Sequence, residues 1–172
     1  APPHAAWQLQ QRLVQQGIPI FAFDDVPLDD PDFEAIQMVA IANVVRTMRH
    51  RDLSFRPATP ITKAVLASAL ARLPRPQALP AAEAKSPYTD VTANHWAATA
   101  IQQATAGQAM SSETAANFAP SKVVSKQQLW QVLQPLYPID TVTPPFVVDD
   151  EPARRRHLSR SLYPIVRSRL SS

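Results

Sequence analysis

At 172 residues, 45% of them hydrophobic and 18% charged, the chain is long enough to bury the core of one domain or of a few small repeats, and its composition is neither disordered nor collagen-like. The absence of cysteine excludes disulfides, thiol nucleophiles and Cys-ligated metals, and two glycines against eighteen prolines argue against glycine-rich phosphate loops and many-stranded sheets. Net charge is only +3, and no stretch approaches the roughly 20 apolar residues that cross a bilayer.

The first predicted element is an amphipathic helix in AAWQLQQRLVQQG, opened by Trp7 and closed by Gly17. An acidic stretch follows, with Asp24, Asp25, Asp29, Asp30, Asp32 and Glu34. Within it, DVPLDDPDFEAI from Asp25 predicts an Asp-Val turn and a helix starting near Asp32. FRPATPITKAVLASALARL from Phe55 then predicts a loop and a second helix. Thr62 is its N-cap, because a hydroxyl there can accept an orphan first-turn N–H. Val65, Leu66, Ala69, Leu70 and Leu73 supply an apolar stripe at helical spacing, and Pro74, Pro76 and Pro80 mark a stiff connector.

The same order then recurs. DVTANHWAATAI from Asp90 aligns with the segment from Asp25 at an offset of 65, and FAPSKVVSKQQLWQVLQPL from Phe118 aligns with the segment from Phe55 at 63. The two-residue difference falls between helices, where insertions are tolerated. In this second unit Gly107 is the expected end of the first helix and Ser125 the cap of the second. Leu129, Val132, Leu133 and Leu136 form its buried stripe, with Trp130 on the same apolar side. A partial third copy is read at Leu158-Ser159-Arg160, followed by Leu162, Ile165, Val166 and Leu170. Pro135 and Pro164 interrupt these patterns; an interior proline costs about 3 kcal/mol, which predicts a kink or an early stop at both. The missing first half of the third copy is assigned to the N-terminal helix, expected to pair with the C-terminal one. The chain thus divides into an N-terminal helix (1–21), repeat 1 (22–76), a Pro/Ala-rich linker (77–86), repeat 2 (87–138), a second linker (139–151) and a partial third repeat (152–172).

These repeats resemble the surface-layer homology (SLH) domain. The shared pattern is Phe23-Asp24-Asp25-Val26, Phe55-Arg56-Pro57 and Thr62-Lys63-Ala64 in the first unit. In the second it is Tyr88-Thr89-Asp90-Val91, His95-Trp96-Ala97, Phe118-Ala119-Pro120 and Ser125-Lys126. The resemblance implies an all-α, pseudo-threefold set of helix-loop-helix lobes that attaches a bacterial envelope protein to cell-wall polysaccharide or a peptidoglycan-linked glycan. It also implies ligand-binding roles for Asp25, Asp90, Trp96, Lys63, Lys126 and Arg160. Departures are visible: Pro31 and Phe33 stand where the second unit has Trp96 and Ala98, and lysine replaces the family's arginine, losing the planar fork that grips carboxylates. The run QQRLVQQGIPIFAFDDVPLDDPDFEAIQ is also similar to the C-terminal extension of some cyanobacterial FAD-dependent oxidoreductases. That similarity implies instead an accessory or scaffolding domain contacting another protein or a parent-chain domain.

No enzyme is expected. There is no G-x-S-x-G elbow. His4, His50, His95 and His157 are isolated and make no metal-ligand pair, and Asp29, Asp30 and Asp32 lack the spacing of a calcium loop. No pair of carboxylates is singled out for glycoside cleavage, and no cofactor motif is present. Arg154, Arg155, Arg156 and Arg160 make the C-terminal end basic, but no nucleic-acid-binding motif accompanies them, so pairing with the chain's own acidic stretch is the simpler reading.

Overall fold

The computed structural model describes residues 11–12, 15–16, 23–46, 54–81, 85–138 and 143–170. Among them the fold is all-α, with five helices and no strand: α1 (Phe33–Ile41), α2 (Lys63–Arg72), α3 (Ala98–Ala106), α4 (Lys126–Leu133) and α5 (Arg155–Leu170). Two of the predicted caps form. The Thr62 hydroxyl accepts the Val65 N–H at 3.3 Å. Ser125 makes a full capping box, accepting the Gln128 N–H at 3.1 Å while the Gln128 side chain accepts the Ser125 N–H at 3.0 Å.

Helices α2, α4 and α5 start from a closed ring of backbone hydrogen bonds. Ile61 N–H donates to the Ala153 carbonyl at 2.9 Å, Ala153 N–H to Val124 at 2.8 Å, and Val124 N–H back to Ile61 at 3.0 Å. A second tier repeats the rotation: Lys63 N–H to the Lys122 carbonyl, Lys126 N–H to Glu151 and Arg155 N–H to Thr59, each at 2.9 Å. Each segment therefore satisfies orphan first-turn donors of one helix with carbonyls of the next unit. Below the ring, Leu66, Leu129 and Leu158 occupy equivalent positions, as do Leu70, Leu133 and Leu162, and all six are buried. Outside this central trio, α1 packs on α5 and α3 packs on α2. The first helix of each full unit thus leans on the second helix of another copy, because its own apolar stripe has no partner within the unit.

The left-handed backbone positions follow the same repeat. Asn43 after α1 and Gln108 after α3 both sit at φ 60°, and Arg56 and Ala119 at 60° and 62°. Gly107 caps α3 as expected, but at φ −80°; the left-handed position belongs to Gln108. An added Cβ at Gly107 would still meet the Gln103 carbonyl oxygen at 3.2 Å.

The two prolines part company, and the third unit is read in a different register. α4 stops at Leu133 and passes into a 3-10 turn over Gln134–Leu136, so Pro135 does end the helix. Pro164 does not: α5 runs through it to Leu170. Leu158, Leu162, Ile165 and Val166 are all buried around it, and the Tyr137 hydroxyl donates to the Ser161 carbonyl at 2.6 Å in the preceding turn. Packing outweighs the lost hydrogen bond. The third register also differs. α5 begins at Arg155, so Arg155, not Arg160, is the counterpart of Lys63 and Lys126, and Ser159 lies inside the helix with its hydroxyl on the Arg155 carbonyl. The N-terminal helix, with Trp7 and Gly17, lies outside the described residues except for exposed positions 11–12 and 15–16, as does its pairing with α5.

Candidate functional site

The three equivalent basic residues each open a helix, where the dipole disfavours a cation. Each is compensated by a neighbouring unit. Lys63 Nζ donates to the carbonyls of Phe118 at 2.6 Å and Ser111 at 3.1 Å, and lies 4.2 Å from the centroid of the Phe118 ring. Arg155 repeats this cage one unit along: Nε donates to the Phe55 carbonyl at 2.7 Å and Nη2 to the Arg46 carbonyl at 2.7 Å, with Cζ 4.6 Å from the Phe55 ring. Lys126 breaks the pattern. The residue corresponding to Phe55 and Phe118 is Val147, which is 75% exposed, and the ammonium pairs instead with Asp149 at 3.0 Å and Glu151 at 4.0 Å. Hydrogen bonding to Lys126 holds the Asp149 carboxyl below its ordinary value, against a small burial effect.

Asp25 and Asp90 act on the backbone. Asp25 accepts the N–H groups of Phe55 at 2.9 Å and Arg56 at 2.7 Å; Asp90 accepts those of Phe118 at 3.0 Å and Ala119 at 2.8 Å. Each carboxylate therefore clamps the turn whose left-handed residue aims a phenylalanine, and its carbonyl, at the cation of another unit. The turn's amide donors overcome partial burial and hold the Asp90 pKa below its usual value.

Arg160 belongs to a different cluster. It donates to Asp32 from Nε at 2.6 Å and from Nη2 at 2.8 Å, and to the Pro145 carbonyl at 3.1 Å. Arg156 adds a bond to Asp32 at 2.7 Å and bonds to Asp30 at 3.3 Å. Burial alone would raise the Asp32 pKa; hydrogen bonds and charge from Arg160 and Arg156 more than reverse it. The acidic stretch and the basic end thus meet each other.

Trp96 stands apart. It is 67% exposed just before α3, with its ring stacked on His95 at 5.8 Å and 26°; His95 Nδ1 is fixed by the Ala97 N–H at 3.0 Å. Thr92 and Asn94, exposed four and two positions earlier, are joined by a hydrogen bond of 2.6 Å. Trp130, by contrast, is 8% exposed and meets Tyr137 edge-on, and Phe33, close to the position of Trp96 in the first unit, is buried. Among the described residues, no group of histidine and carboxylate side chains is arranged to hold a metal and no helix is long and apolar enough to cross a membrane.

The sequence reading thus found Lys63 and Lys126 as equivalents but missed Arg155. The usable signal was a proline three residues before two of the three basic helix openers, Pro60 before Lys63 and Pro152 before Arg155. Among the described residues, the cations that open the central helices are turned to internal contacts, while the Trp96 face is exposed. Residues 87–129 match the S-layer homology domain, a stretch that runs from Tyr88 through Asp90 and Trp96 to Lys126. The family is one of binding modules that attach proteins to cell-wall polymers, which implies association with the cell envelope. No curated protein matches the chain. The similarity to an oxidoreductase extension finds no support in these comparisons.

Proposed function

We propose that the chain anchors a protein to bacterial cell-wall polysaccharide or a peptidoglycan-linked glycan through the face around Trp96. The carrying observation is the exposure of this indole within the S-layer homology stretch, since an aromatic face of that size is held out of the core only at some cost and packs well on the C–H surface of a sugar ring. Lys126 is the second contact: its partners Asp149 and Glu151 are side chains 37% and 79% exposed, and an anionic polymer can exchange with them. Asp25, Asp90 and Lys63 hold the units in place, and Arg160 does so through Asp32. The test is co-sedimentation with purified sacculi that retain their polysaccharide. The wild-type chain pellets, Trp96→Ala weakens binding roughly tenfold without lowering the melting temperature, and Lys126→Ala weakens it further. A chain that stays in the supernatant, or a Trp96→Ala variant that pellets equally well, overturns the reading.

The inward-turned cations Lys63 and Arg155 favour a second reading, an accessory or scaffolding domain contacting another protein or a parent-chain domain. In that case the chain ignores sacculi and co-elutes with the parent domain instead.

A further inference from the structure

The N–H of the second residue in each central helix finds its acceptor at the same place in another unit. Ala64 N–H donates to the Pro120 carbonyl at 3.0 Å, Arg156 N–H to Pro57 at 2.9 Å and Gln127 N–H to Asp149 at 3.0 Å. These bonds put Val147-Val148-Asp149 in register with Phe55-Arg56-Pro57 and Phe118-Ala119-Pro120. The third unit thus lacks the aromatic and carries an acid in place of proline, and both differences meet at one cation.

Lys63 and Arg155 are held by carbonyls and by a phenylalanine ring. Val147 supplies no ring, and among the described residues the partners of the Lys126 ammonium are the carboxylates of Asp149 at 3.0 Å and Glu151 at 4.0 Å. A nearly enclosed cation at the start of a helix needs such a counter-charge. The other oxygen of Asp149 accepts the Glu151 N–H at 3.0 Å, so the carboxylate is aimed from its own loop. The Lys126 side chain is 11% exposed and both carboxylates are more open. An anionic group that is to pair with this ammonium therefore competes with Asp149.

We propose that Asp149 is a built-in competitor at Lys126, standing in for an anionic group of the wall polymer and so setting how tightly the chain attaches; the inference rests on the attachment reading above. With no polymer bound, the carboxylate satisfies a cation that has no aromatic cage. With polymer bound, it is the contact that must first be given up. A purely structural ion pair differs in one respect: removing its acid lowers stability and brings no gain in binding.

The experiment measures dissociation constants of the full chain for sacculi that retain their polysaccharide, by co-sedimentation, with melting temperatures alongside. Asp149→Asn keeps the backbone carbonyl and the oxygen that takes the Glu151 N–H, and removes the charge. It should bind roughly threefold tighter than the wild type, the order of an exposed ion pair, while melting at a lower temperature. In a Lys126→Ala background the same change should gain nothing. Glu113→Gln removes a charge 3.4 Å from Lys63, whose carbonyls and ring remain, and should leave the affinity unchanged. With a wild-type chain that pellets, three results would each overturn the proposal and leave attachment standing: an Asp149→Asn variant that binds no tighter, a gain that survives in Lys126→Ala, or an equal gain from Glu113→Gln. If neither the wild type nor Asp149→Asn pellets, the attachment reading falls and this inference falls with it.

Discussion

At the scale of single residues, a carboxylate and a left-handed backbone position work as a pair. Ala119 holds φ 62° and Arg56 φ 60°, a conformation that is costly for side chains with a Cβ. The two N–H bonds accepted by each aspartate hold the turn there. Asp90→Ala leaves two donors without their partner and should cost about 2 kcal/mol of unfolding free energy; Asp90→Asn keeps one acceptor and should cost less. Urea denaturation of the two variants checks the order, and equal stability of Asp90→Ala and the wild type would show that the turn holds itself. Both aspartates were conspicuous in the sequence, yet their partners lie about thirty positions downstream, a relation that local periodicity does not carry.

At the scale of elements, the three central helices show where local patterns suffice. Thr62 and Ser125 declared the starts of α2 and α4 because a hydroxyl before an apolar stripe has one obvious use. The start of α5 carries Arg154 instead of a hydroxyl residue, and the eye passes to Ser159. What replaces the cap is His157: its Nδ1 accepts the Arg154 N–H at 2.9 Å, the role that the Gln128 side chain plays toward Ser125. The run through Pro164 was equally hidden, since proline's penalty is local whereas its compensation lies in buried side chains from the whole core. That penalty is still present. Pro164→Ala should raise the unfolding free energy by about 1–3 kcal/mol, read as a higher urea midpoint at unchanged slope; an unchanged midpoint would mean that the helix has relaxed fully around the ring. The site divided in the same way. Trp96 was legible as an unusual residue, but that Lys63 points inward onto Phe118 depends on the neighbouring unit.

At the scale of the molecule, Asp32 ties the first unit to α5, and with His157 it sets the response to acid. Burial, with the positive charge of Arg160 and Lys126, lowers the His157 pKa from 6.5 to about 4. The unfolded chain therefore takes up this proton first, and stability falls as pH drops from 6.5 towards 4. Asp32 adds a second loss: its folded pKa lies below 3.8, so its contribution is complete above that value and disappears as pH falls through the folded one. Melting temperature should thus decline in two stages. His157→Gln keeps the acceptor without the titration and should flatten the upper stage, while Asp32→Asn should lower stability at neutral pH and flatten the lower one. A wild-type melting temperature constant from pH 6.5 to 4 would remove His157 from this account.

The ring of Ile61, Val124 and Ala153 also bears on how the protein is made. Because its third member lies 29 residues beyond the second, a nascent chain cannot close the ring until Ala153 has left the ribosome, and the first two units wait with their apolar stripes uncovered. Folding of the first two units therefore waits on synthesis of the third, so a chaperone that shields the emerging chain should raise the yield of native protein more than slower translation does.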